Sequence, residues 1–153
     1  MSDERNRREL QTLAMRHVEA LGTWEQALPA IDVLALRDVM AEGRRDHRRA
    51  LQHIARALAA LGEEPPTEPA FRGLVMQGLA ALRALAGATS ALRVLRDDAS
   101  LTLRAYAAAL AEPWPEPLLA MIREHHEEAK RRLDLFEQVL ADEPQWKAGR
   151  LPA

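Results

Sequence analysis

The sequence predicts an all-α fold, and three observations carry that prediction. Ala, Leu, Arg and Glu dominate while β-branched residues are few and aromatics make up only 4% of the chain. Apolar residues recur at three-to-four spacing over long stretches, with no alternating run long enough for a sheet. Finally, Pro29, the run Gly62-Glu63-Glu64-Pro65-Pro66, Gly87 and the cluster Pro113-Trp114-Pro115-Glu116-Pro117 cut the chain into five helical segments. At 153 residues the chain is one domain, long enough to bury a core.

The first helix is expected from about Asp3 to Leu28, with Leu10, Leu13, Leu21, Trp24 and Leu28 on one stripe and His17 in its gap. Pro29 ends it, because proline lacks the amide donor and disfavours helix at the residue before it. The second helix, about Ile31 to Leu61, carries Leu36, Met40, Gly43, His47, Leu51, Ile54, Leu58 and Leu61, and Gly62 supplies its stop. Gly43, one turn before His47, leaves space in the seam, for close helix packing or for a ligand or water.

A third segment, about Glu68 to Ala86, places Phe71, Leu74, Val75, Leu79, Leu82 and Leu85 on one face before Gly87. The fourth, about Thr89 to Glu112, turns Leu92, Leu95, Ala99, Thr102, Tyr106 and Leu110 inward, with Asp98 bordering that stripe. The last, about Pro115 to Ala141, buries Leu118, Ile122, Ala129, Leu133, Phe136 and Leu140. Residues 1–141 therefore read as a single bundle domain. Residues 142–153, with proline, glycine and a lone Trp146, read as a loosely packed or disordered tail. Two hairpins are evident, first with second helix and fourth with fifth; segment 68–86 is then a crossover between them, or one member of a five-helix array.

Composition narrows the function classes. The 21 basic and 23 acidic residues are mixed along the chain, unlike the net basic face of a duplex-binding domain, so no nucleic-acid partner is expected. Without cysteine there is no disulfide, thiolate ligand or thiol nucleophile. The charged start MSDERNRREL does not read as a signal peptide, and no apolar run approaches the roughly 20 residues of a membrane span. A cytoplasmic protein without membrane contact is the expectation. Ala105 to Ala111 with Trp114 offers a surface for close packing against a second copy, so a homodimer is expected.

Local motifs add a resemblance. His17-Val18-Glu19 leads to Trp24; Leu61-Gly62-Glu63-Glu64-Pro65 follows the second helix; an apolar crossover, Leu92 to Leu95, Tyr106 with Leu110, and the proline-marked turn come after. In order and spacing this resembles a bacterial ferritin-like four-helix family of unknown function, distantly similar to rubrerythrin and ferritin, over roughly residues 10 to 140. The resemblance implies a ferritin-like four-helix bundle with a helical crossover between two hairpins. It also implies an acid where Glu19 stands and an acidic pair in the fourth segment. Here that pair falls at Ala99 and Ser100, with acids displaced to Asp97 and Asp98. A polar residue and a histidine of the family's last helix align near Glu124 and Arg132.

Ferritin-type di-metal sites need Glu-x-x-His on two helices, which sets both side chains on one face toward one ion. This chain has none: Glu42 is followed at three by Arg45, and neither His125 nor His126 has Glu three before it. The His-x-x-x-Glu and His-x-x-x-His pairs of haemerythrin-like sites are also missing, and Ser90 and Ser100 have no base partner for nucleophilic catalysis. The arginines flanking His47 read as a solvated face.

A looser constellation remains. Counted from Pro29, His17 is 12 residues away and His47 is 18, a height difference of about 9 Å at the helical rise. His17 is therefore paired with Glu42, and Asp98 with His126, as candidate ligands for iron or another divalent metal. The leading functional expectation is a ferritin-like bundle with a degenerate metal site, serving in binding or structure and not as an enzyme. The alternatives are a divalent-metal-binding or oxidase-type stress protein, and a helical interaction module docking a partner on the crossover around Phe71 and Leu74.

Overall fold

The computed structural model of the protein describes residues 3–68, 78, 79, 81, 83 and 86–149. Helix α1 spans Asp3–Ala27 and α2 spans Arg37–Ala60, joined by short 3-10 turns at Leu28–Ala30 and Leu34–Leu36. Helix α3 covers Ala88–Leu110, α4 covers Glu116–Ala141, and a short α5, Glu143–Lys147, follows at once. No strand occurs among the described residues. Most of the expected crossover at 68–86 lies outside them, as do Phe71 and Leu74.

Local chemistry explains the ends. Acidic residues occupy the first turns of α1, α2 and α4, where the helix dipole favours negative charge. Helix α2 stops in a Schellman arrangement: Gly62 takes φ 78°, its N–H reaches Ala59 O at 3.0 Å, and Glu63 N–H reaches Leu58 O at 2.9 Å. The one large boundary error of periodicity is the start of α2, expected at Ile31 and found at Arg37. Val33 is extended (φ −122°, ψ 112°) and the two tight turns consume the intervening residues.

The four long helices pack in a ring, α1 against α2 and α3, and α4 against α3 and α2. Side-chain pairs give the directions. Arg5 meets Glu112 and Arg16 meets Asp98, so α1 and α3 are antiparallel. Arg49 meets Glu128 and His53 meets His125, so α2 and α4 are antiparallel too. Because α1 and α2 are joined by short turns and so run antiparallel, α2 and α3 run parallel on one diagonal, and the end of α2 and the start of α3 lie at opposite ends of the bundle. After α2 the described chain sets off along α1: Leu61 O accepts from Arg7 and, one turn further along α1, Glu64 O accepts from Gln11 at 2.7 Å.

Two apolar clusters fill the interior. One holds Trp24, Leu36, Met40, Leu92, Leu95, Phe136 and Trp146; the other holds Leu10, Leu13, Ile54, Leu58, Tyr106 and Ile122. Trp146 corrects the expectation of a loose tail. It is 2% exposed, and its Nε1–H donates to Val139 O at 2.8 Å. Trp114, expected on a dimer surface, is also folded inward, with Nε1–H donating to Ala109 O. Gly43 serves close packing, since a Cβ there would overlap the Trp24 indole, and it also lines a small cavity beside His47.

Candidate functional site

Between the two apolar clusters lies a polar layer to which all four long helices contribute. On α1 the stripe Leu10, Leu13, His17, Trp24 turns His17 inward; on α2 the stripe Met40, Gly43, His47, Ile54 does the same for His47. Asp98, Thr102 and Tyr106 face in from α3, and His125 and Ala129 from α4.

His17 Nδ1 and His47 Nδ1 face each other at 2.9 Å, and His17 Nε2 meets the Tyr106 hydroxyl at 2.6 Å. Two neutral imidazoles meeting Nδ1 to Nδ1 share one proton, which fixes the polarity of the whole chain. When Tyr106 O–H donates to His17 Nε2, His17 Nδ1–H donates to His47. The remaining His47 Nε2–H then points toward Asp98 Oδ2, 4.0 Å away. The reverse order would set a lone pair against a carboxylate. Asp98 is held by an ion pair from Oδ1 to Arg16, while its Oδ2 has no hydrogen-bond partner.

A second string starts at His53, whose Nδ1 lies 3.0 Å from His125 Nε2; His125 Nδ1 lies 2.9 Å from Glu128 Oε2. Glu128 is in turn paired with Arg49, and one turn away Arg132 is paired with Asp46. A cavity of about 20 Å³, lined by His17, His47, Thr102, His125, Glu128 and Arg132 among others, joins the two strings. That is room for one water-sized molecule, since a water needs about 10–15 Å³. Outside the ion pairs, a groove of about 280 Å³ runs between α2 and α4 past Glu42, Arg49 and Arg131.

Burial sets the protonation states. Desolvation lowers His47 to about 3, helped by Arg16 and Arg132, and lowers His125 to about 4, helped by His53. His17 falls well below its ordinary value, through burial first and then His47. All three are therefore neutral at pH 7. Asp98 is raised to about 6, because burial outweighs the opposing pull of Arg16 and Glu19 adds repulsion. Burial also pushes the Tyr106 hydroxyl up, so it remains a donor.

The four candidate ligands are not brought together. His17 and Asp98 are buried, but each turns to a different neighbour, and His47 lies between them. Glu42 is exposed on the groove side of α2 and does not pair with His17. His126 is half-buried, with Nδ1 at 3.7 Å from Glu127, and it is His125 that enters the core. The separation of His17 from His47 by helix height is corrected. The turn is centred on the 28–36 connection and not on Pro29: His17 lies ten residues before the end of α1 and His47 ten after the start of α2. Equal distances from the turn put the rings level. Residue reasoning also passed over Arg16 and the His125–Glu128 pair, although the three-residue spacing of the latter places both on one helical face.

Among the described residues, no three His, Asp or Glu side chains converge to hold a metal ion. Both ring nitrogens of His17 are spent on side chains and Asp98 is bound to a guanidinium, so these donors do not suit a cation as they stand. No described helix is long and apolar enough to cross a membrane. No protein-family model, curated protein or solved structure matches the chain.

Proposed function

We propose that this protein is a ferritin-like bundle in which a hydrogen-bonded histidine layer occupies the position of a metal centre, and that it serves in binding or structure and not in catalysis. The observation that carries this reading is His17, buried with Nδ1 committed to His47 and Nε2 to Tyr106. A ligating imidazole needs one nitrogen free for the ion. The ferritin-like part is supported by helix direction: parallel α2 and α3 on a diagonal, with the chain after α2 setting off along α1.

Elemental analysis of protein purified without added metal, with melting curves in the presence and absence of iron or zinc, tests the reading. Substoichiometric metal and an unchanged melting temperature are expected. One ion or more per chain with a raised melting temperature would sink the reading and favour the divalent-metal alternative. The homodimer is a separate proposal, resting on exposed Ala107 and Ala108 of α3 and Ala111 just after it; light scattering across a concentration series checks it.

A further inference from the structure

The mid-bundle layer leaves one large cleft unexplained, at the end of the bundle where α1 passes into α2. It has a volume of about 440 Å³, within the range of about 300–1,000 Å³ that small-molecule sites occupy. Its wall is one face of the first three turns of α2, bearing Arg37, Met40, Ala41, Arg44, Arg45 and Arg48 at three-to-four spacing. Its other side is the connecting segment, with Leu28, Ile31, Val33 and Leu34.

Two features of that wall ask for a ligand. Four arginines stand against a single acid, Asp32, and among the described residues Arg37, Arg45 and Arg48 have no ion-pair partner. Only Arg44 reaches a carboxylate, Glu25 at 3.9 Å, and its buried Nε has no hydrogen-bond partner. Arg48 stands four residues from Arg44 and three from Arg45, spacings at which like charges on a helix repel. Beside this positive field the connection presents apolar side chains to water, with Leu34 75% exposed. Guanidinium groups are the best-matched donors for carboxylate and phosphate oxygens, and the apolar strip next to them suits a hydrocarbon chain.

We propose that this cleft binds a small amphiphilic anion, its apolar chain along Ile31, Val33 and Leu34 and its carboxylate or phosphate head among Arg44, Arg45 and Arg48. The inference is independent of the histidine layer, which lies deeper in the bundle. Calorimetric titration with decanoate and with decyl phosphate, each below its micelle concentration, tests it on the full chain. Saturable one-to-one binding of at least one is expected, and the tighter of the two names the head group. The neutral 1-decanol and inorganic phosphate alone should each bind about tenfold more weakly or worse, since either lacks half of the recognition.

Arg45 and Arg48 are exposed, so R45Q/R48Q should keep its helicity while losing about tenfold or more in affinity. Leu34→Asp, also at an exposed position, should weaken binding by acting on the chain end of the site. Absence of saturable binding by both amphiphiles overturns the proposal. So does binding that R45Q/R48Q leaves unchanged, or association with anionic phospholipid vesicles when neither monomeric amphiphile binds.

Discussion

Acid should undo this fold through His47, and the size of the effect follows from its burial. The ring titrates at about 3 in the folded protein against about 6.5 in an unfolded chain. Its folded value is depressed, so the unfolded state takes the proton first and stability falls as pH drops below about 6.5. At pH 5 the loss from this one ring is about 2 kcal/mol, rising to roughly 4 kcal/mol at pH 3. Asp98 cannot rescue the imidazolium, because it takes up its own proton near pH 6. Its folded value is raised, so its contribution has the opposite sign. Stability from Asp98 grows by about 1 kcal/mol between pH 7.5 and 5, while His17 and His125 act in the same direction as His47.

The comparison with His47→Gln isolates the ring. At pH 7.5 the variant should be less stable by roughly 1–3 kcal/mol, having lost a buried hydrogen-bond partner of His17. By pH 5 that deficit should shrink by about 2 kcal/mol. Urea denaturation at half-unit pH steps reads both quantities, and calorimetry in buffers of different ionisation enthalpy counts the protons directly. Parallel stability curves for the two proteins between pH 7.5 and 5 would refute the assignment of His47 as a buried neutral base.

Three further outcomes are expected. Tyr106→Phe leaves His17 Nε2 buried without its donor and should cost about 1–3 kcal/mol, read as a lower urea midpoint at unchanged slope. Gly43→Ala drives a methyl into the Trp24 indole; a loss of about 1–3 kcal/mol with an altered tryptophan emission spectrum is expected, and an unchanged melting temperature would show that the indole moves freely. Trp146→Ala empties part of the core shared with Trp24 and Phe136 and should cost about 3–5 kcal/mol in chemical denaturation. A variant as stable as the parent would return residues 142–149 to the status of a tail.

The stripes on α1, α3 and α4 were mostly legible from spacing alone because each long helix buries one face at a period near 3.6, although on α4 Val139 and not Leu140 is the fully buried residue. Trp146 was not legible: its burial depends on α5 following α4 without a linker, and five residues carry too little pattern to announce that. Among the polar residues, His17 could be read as inward because both its neighbours on the stripe are leucines. The choice between His125 and His126 turned on about 100° of helix rotation, which tandem histidines leave undetermined. The level meeting of His17 with His47 depended on where α2 begins. Two tight turns, invisible to periodicity, decided it.

The seam between α2 and α4 is the least closely packed of the ring, and its polar pairs act as a key for alignment more than as a source of strength. In the native arrangement Asp46 lies opposite Arg132 and Arg49 opposite Glu128. Slide α4 one turn in one direction and Asp46 confronts Glu128; slide it one turn the other way and Arg49 confronts Arg132. Apolar contacts, being non-directional, tolerate such displacements more readily. Charge does not, and a buried or half-buried mismatch costs far more than the correct pair contributes. Register-shifted pairings of α2 with α4 are thereby penalised by charge where apolar packing alone would discriminate weakly.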